Sequence, residues 1–410
     1  MDFAIHKTSI QSDKHLVFVD NVLSESEELP QNTLVFGSTE LEEVARLYLL
    51  GLPTFPSRNY IKALQGVLDL IPIHRVPWKL CLPERAFKRQ LQDLVESLRS
   101  CLGGVDLTYW KTTYQEAGVV LSKLKPALIN KEKYELYLSQ DSSRVVKTFR
   151  QGEDGYTEEV LYDRTSTVTG RLKVVDGPNV LHLKKEYRDM IVSRFGVDGE
   201  IWSLDYKSLE PRILLSLSTN GTLPYRRNTR DIYQNIKDEL FQGHDLTREQ
   251  IKKVVLSEVY GAGIDTVSKE LPNVERLENV VKLIREWFNL TQFKERLMTE
   301  AEKTNHQWLE NCFGRRVSIA GEPPYKYPNR VVQSAAVDVA LLGFSAMVRY
   351  LEQMDRLETV VPLFVLHDAL ICDVHKNALH LLPAMCKIGS VDIPRFEETR
   401  FYVQQGKFNG

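Results

Sequence analysis

Residues 360–374, Val-Val-Pro-Leu-Phe-Val-Leu-His-Asp-Ala-Leu-Ile-Cys-Asp-Val, leave a chain few ways to fold. Two apolar, partly β-branched runs flank His367-Asp368-Ala369, which predicts a β-hairpin with a carboxylate at its tip. Turn chemistry alone often puts Asp at such a tip. A second stretch, residues 201–212, gives it a partner. There Ile201, Trp202 and Leu204 predict a short buried strand with Asp205 at its end. Glu210 follows five residues later, and Pro211 fits a turn or the first turn of a helix. A lone strand-end Asp usually caps the next helix. Strand ends that deliver carboxylates are also a common way to build a metal site.

Composition narrows the class. The chain has 410 residues, 43% hydrophobic and 26% charged, enough for a large core and two or three subdomains. A net charge of −2 does not advertise a nucleic-acid binder, but a basic groove can be balanced by acidic surface elsewhere. The five cysteines (Cys81, Cys101, Cys312, Cys372, Cys386) show no Cys-X-X-Cys pair, which predicts neither structural zinc nor disulfides and points to a reducing, cytoplasmic compartment. The N-terminus lacks a signal-peptide layout, and no apolar run approaches the ~18 residues of a membrane span, so no membrane partner is expected.

Along the chain, residues 1–75 predict a small α/β segment. Its strands are expected at 16–19 and 33–36, and its helix at 39–50 with Ser38 or Thr39 as N-cap. Phe87, Leu91, Leu94, Val95 and Leu98 recur at helical spacing over 84–102, and Gly103-Gly104 stops that helix. More helix is expected over 121–138, interrupted by Pro126, and a loop rich in Ser, Gly and charge follows from 141. Thr247 and Gln250 predict a capping box for a helix over 247–260, with Arg248, Lys252, Leu256 and Tyr260 along one face. A helix is expected over 329–349, another over 376–386, and a last strand near 401–404.

These segments resemble the motifs of family A DNA polymerases, the DNA polymerase I type. The family's Asp-Tyr-Ser-X-X-Glu-X-Arg reads here Asp205-Tyr206-Lys207-Ser208-Leu209-Glu210-Pro211-Arg212, and its closing His-Asp is His367-Asp368. Thr167-Val168-Thr169-Gly170-Arg171-Leu172 is similar to Thr-X-Thr-Gly-Arg-Leu, and Asp176-Gly177-Pro178-Asn179 is one residue longer than Asp-Pro-Asn. Arg248, Lys252, Leu256 and Tyr260-Gly261 follow Arg-X3-Lys-X3-aromatic-X3-Tyr-Gly. Phe313-Gly314-Arg315-Arg316 and Asn329-X3-Gln333 complete the set, so six motifs stand in the family's order over about residues 140–410.

The resemblance implies an α+β right-hand polymerase. Its antiparallel β palm would be 161–212 and 311–410, its helical fingers 213–310 and its helical thumb 76–160. It implies template-directed addition of dNTPs to a primer 3′-OH on primer–template DNA, with replication accessory proteins as further partners. Asp205, Asp368 and the Tyr206 carbonyl would hold two Mg²⁺ ions, with Mn²⁺ as a substitute, and activate the 3′-OH and the α-phosphate. Lys252 would sit at the α-phosphate and protonate pyrophosphate, and Arg248 would hold the outer phosphates. Glu210 would gate the sugar, and Leu256, Tyr260 and Tyr233 would complete the nucleotide site. Arg171, Asn179, Asn329, Gln333 and His367 are expected at the DNA, with Arg315, Arg316, Lys326 and Arg330 on phosphates.

Three positions depart from the pattern: Tyr233 replaces His, Leu256 replaces an aromatic, and Ala369 replaces an auxiliary Glu. No Asp-X-Glu pair occurs in residues 1–150, so no 3′→5′ proofreading exonuclease is expected, and the compact layout would suit a phage or plasmid enzyme in a bacterial cell. The alternatives are a single-subunit RNA polymerase, which would lack Glu210, and a non-catalytic DNA-binding subunit, against which Asp205 and Asp368 argue.

Overall fold

The structure, a computed structural model, describes residues 2–31, 33–63, 76, 78–140, 144–219, 231–261, 264–271, 276–390 and 401–408. The chain divides into two units, Met1–Leu107 and Thr108–Gly410, and the boundary falls inside the stretch expected as one helical arm.

In the first unit, strands β1 (Phe3–Ile5), β2 (His15–Val19), β3 (Val22–Ser26) and β4 (Leu34–Phe36) form a sheet in the order β3-β2-β1-β4. β1 runs parallel to β4 and the other pairs are antiparallel. Two of these strands were not expected. β1 has only three residues, and β3 is too exposed and polar to carry an alternating pattern. The turn before β3, Asp20-Asn21, has both residues at positive φ (50° and 63°), as a tight hairpin requires. Helix α1 (Thr39–Leu47) is capped by the Ser38 side chain, which accepts from the Leu41 N–H, and it stops three residues short of the expected end. Helix α2 (Glu84–Leu102) buries Leu94, Val95, Leu98 and Leu102 on one face and ends at Gly103.

The second unit is built on an antiparallel sheet of β5 (Gly199–Tyr206), β6 (Val360–Leu366), β7 (Ala369–His375) and β8 (Val403–Lys407), in the order β6-β7-β5-β8. The predicted hairpin forms between β6 and β7, with every residue of β6 buried. Between β5 and β6 come helices α3 (Leu209–Ser218), α4 (Ile232–Leu240), α5 (Arg248–Tyr260), α6 (Leu277–Trp287), α7 (Leu290–Lys303) and α8 (Tyr327–Gln353). By length and composition α8 could cross a membrane, but 83% of its most apolar window is buried inside the protein. It packs on α3 and reaches the sheet at Tyr206. Gly343 makes that approach possible: a Cβ there would overlap the Tyr206 hydroxyl, which donates to the Gly389 carbonyl.

Several expected elements differ. The helix predicted over 121–138 is instead a 3₁₀ turn (Val119–Lys123), a two-residue strand (Leu128–Ile129) and a helix (Lys131–Gln140). Pro126 lies in the break, where it bars a helical residue before it. The expected loop from 141 contains a short hairpin, Leu161–Asp163 with Lys173–Asp176, and the Thr-X-Thr-Gly-Arg stretch forms its connection. Residues 376–388 are a 3₁₀ turn followed by a helix (Leu382–Ile388).

Candidate active site

Asp205 is the penultimate residue of β5, and Asp368 is the second residue of the two-residue turn between β6 and β7. His367, the first, takes φ 56°, which lets the turn close tightly. The ladder brings the carboxylates together: Asp205 pairs with Ala369 in register, and the Tyr206 N–H donates to the Asp368 carbonyl at 3.0 Å. Burial, then the charge of Asp368, pushes the Asp205 carboxyl up to about 7. Burial raises Asp368 as well. On the other side of β5, Gln404 of β8 faces Asp205 and donates to its carboxylate. Sequence reading placed a strand near Gln404 but gave it no role.

The two carboxylates line a pocket of about 590 Å³, and α5 lines it as well. Arg248, Lys252, Leu256 and Tyr260 all face into it, one turn apart, as their spacing predicts. The capping box forms: the Thr247 N–H donates to Gln250 Oε1 at 2.8 Å, and the Gln250 N–H donates to Thr247 Oγ1 at 3.2 Å. Gly261 ends the helix at φ 69°. Arg248 is held by Asp231 at 2.8 Å and Glu249 at 2.6 Å, and it stacks over the Tyr233 ring at 5.3 Å. Burial alone would raise Asp231, but the Arg248 contact holds its carboxyl below the ordinary range. Lys252 pairs with no carboxylate among the described residues. Tyr233 lines the pocket but is almost fully buried, and burial pushes its hydroxyl up to about 12.

Glu210, in the first turn of α3, binds Arg171 at 2.5 Å, and Tyr260 hydrogen-bonds with both. Glu210 keeps one carboxylate oxygen, Oε2, buried without a partner. Gln333 of α8 and His367 also line the pocket. Burial, then Arg171, lowers the His367 imidazole.

Other expected site residues lie elsewhere. Asn179 is outside the pocket; its N–H donates to Thr148 Oγ1 at 2.8 Å and its side chain meets His182 at 3.0 Å. Asn329 is at the start of α8 with its Oδ1 buried and unpartnered. Arg316 stacks on Trp308 at 4.4 Å, and Lys326 and Arg330 both pair with Glu322. Arg315, expected on a phosphate, is 3% exposed, donates to the Tyr109 hydroxyl at 3.3 Å and to the Arg164 carbonyl at 3.0 Å, and feels the charge of buried Asp338. The Gly of Thr-X-Thr-Gly-Arg serves this packing: Gly170 has φ 75°, and a Cβ there would overlap the Arg315 guanidinium. No sequence pattern flags this, because Tyr109, Arg164 and Asp338 are remote in the chain.

Among the described residues no three His, Cys, Asp or Glu side chains gather as a metal cluster. The donor set is two carboxylates of like charge in a half-buried setting, with pocket space beside them. That set suits a hard cation that takes its remaining oxygens from substrate and water, as Mg²⁺ does, and not a closed protein cage. The Asp205 carboxyl is costly to ionise there, first through burial and then through the charge of Asp368, and a bound cation would offset that cost.

Comparison with known proteins bears on the fold and the family. In fold, the chain is similar to the POL domain of Pol1 from M. smegmatis, solved as a complex with DNA primer-template and dNTP: 14% identity, TM-score 0.56, covering 90% of this chain and 79% of that one. No curated protein matches the chain in sequence. The profile of DNA polymerase family A matches residues 92–388, starting well before the earliest motif read from the sequence. With that match over most of its length, the chain belongs to DNA polymerase family A.

Proposed function

We propose that this family A DNA polymerase extends a primer 3′-OH on primer–template DNA with dNTPs by phosphoryl transfer at Asp205 and Asp368, and that it does not proofread. The observation that carries the reading is one pocket lined both by the two carboxylates and by the Arg248–Lys252–Leu256–Tyr260 face of α5. In this reading residues 161–212 and 311–410 are the palm, 213–310 the fingers and 76–160 the thumb.

Asp205, Asp368 and the Tyr206 carbonyl would hold Mg²⁺, which when bound supplies charge stabilisation at the α-phosphate and the leaving group. Lys252, without a carboxylate partner among the described residues, binds the triphosphate near its reacting end and is positioned to give a proton to the leaving pyrophosphate. Arg248, at the positive end of α5, exchanges carboxylate partners for the outer phosphates. Leu256 covers the base with an aliphatic surface. Glu210, fixed by Arg171, stands against the sugar. Gln333 offers a neutral amide to the minor-groove edge of the new pair, where acceptors occupy nearly the same place for all four pairs.

Primer extension with Mg²⁺ tests the reading. Asp205→Ala and Asp368→Ala should each lower the rate by about 10³-fold or more while DNA affinity stays near wild type. Extension within tenfold of wild type in both variants would sink the assignment.

A further inference from the structure

We propose that Lys207 is a third cation for the incoming triphosphate, working beside Arg248 and Lys252; the inference rests on the polymerase reading above. Lys207 stands where the motif that this stretch resembles reads Ser. Lys207 follows Tyr206 at the end of β5 and lines the same pocket as Arg248 and Lys252.

Its backbone is pinned at both ends. The Lys207 N–H donates to the Tyr402 carbonyl at 2.7 Å, and its carbonyl accepts from Arg212 Nε at 2.9 Å. Arg212 is itself 1% exposed. The side chain therefore leaves from a fixed point, two residues after Asp205. Its Nζ reaches 4.0 Å from Asp231 Oδ2, the same oxygen that Arg248 Nε binds at 2.8 Å. Two cations that meet on one carboxylate oxygen stand close enough to share one polyanion. Asp231 is anchored as the N-cap of α4, accepting from the Gln234 N–H at 3.2 Å. It thus gathers the ammonium and the guanidinium on the pocket wall.

The Lys207 contact is at the outer limit of ion pairing, whereas Arg248 is held short by two carboxylates. Lys207 is consequently the easier of the two to transfer. An ammonium on a flexible stem can follow a phosphate as a point charge. A surface ion pair that merely ties β5 to α4 would not bring Lys207 into the lining shared with Lys252.

Lys207→Ser and Lys207→Arg separate the roles. The expected result for Lys207→Ser is a dNTP KM raised about tenfold with kcat within about threefold, and Lys207→Arg restores most of the loss. Calorimetric titration with inorganic tripolyphosphate, which needs no turnover, should show the same weakening, while primer–template affinity without nucleotide stays within about twofold. An unchanged KM together with unchanged tripolyphosphate affinity overturns the proposal. So does a loss of primer–template affinity in its place, or a defect that Lys207→Arg fails to repair. A wild-type protein that extends no primer would count against the polymerase reading instead, and the tripolyphosphate titration would still judge Lys207.

Discussion

Asp205→Asn should make the metal-free protein more stable at about pH 8 while ending extension. The Asp205 carboxyl is pushed up from 3.8 to about 7, first by burial and then by Asp368. A carboxyl with a raised pKa keeps its proton in the folded chain at pH values where the unfolded chain has lost it. Stability therefore falls as pH rises from about 4 through about 7, and the whole cost stands above that window. Roughly three pH units at about 1.4 kcal/mol each set a ceiling of about 4 kcal/mol. Asp205 keeps some contact with solvent, and Gln404 donates to it, so about 2 kcal/mol is the working figure. Asn removes the charge and leaves a carbonyl to accept from Gln404. Urea unfolding of both proteins in a chelator should show the variant ahead at about pH 8 and the gap closing by about pH 4. A variant equal to or weaker than wild type at the higher pH, or a gap independent of pH, would refute the picture of a desolvated, repelling pair.

Gly343→Ala should cost about 2 kcal/mol of stability and lower extension, because the new methyl overlaps the hydroxyl of Tyr206, the strand residue that follows Asp205; adding Tyr206→Phe should recover part of both, as urea melts and primer extension would report. Leu256→Tyr should tighten dNTP binding by about 1 kcal/mol through ring packing and ease dideoxynucleotide use; no change in either would place residue 256 away from the base. Glu210→Ala should raise rNTP incorporation on the order of 10²-fold, ~3 kcal/mol of lost discrimination, as measured by kcat/KM for dATP and rATP opposite template T. Equal use of both nucleotides by wild type would favour an RNA polymerase.

What could be read from the sequence was what short-range rules govern. The hairpin at 360–374 announced itself because two apolar runs flank the short stretch His367-Asp368-Ala369, and the structure closes it with a two-residue turn. The α5 face was legible because helical periodicity and a capping box act within one turn of chain. Contacts between distant segments were not. Arg315 looks like an exposed cation until Tyr109, Arg164 and Asp338 close around it. Gln404 gains meaning only when β8 pairs beside Asp205 across about 200 residues of chain. Residues 161–176 read as loop because strands of three and four residues carry too few side chains to show a period.

The replacement of the family's auxiliary Glu by Ala369 acquires a physical sense from the register. Ala369 lies directly opposite Asp205 on β7, and Gln404 lies opposite it on β8. Asp205 is thus flanked across the sheet by neutral groups on both sides. A Glu at 369 would add a third negative charge beside a carboxyl whose pKa already stands at about 7, and each added like charge at such range raises the cost of ionising the others. With Ala there, the pair remains easier to ionise near neutral pH. Gln404 adds to this, since an amide donor favours the charged form of Asp205 without bringing a charge of its own. Two carboxylates carry half the charge of two divalent cations, so in the proposed mechanism the nucleotide's own phosphates supply the rest. The cations on α5 and at Lys207 then do more than hold the tail of the substrate: they fix the phosphates whose oxygens complete the site at Asp205 and Asp368.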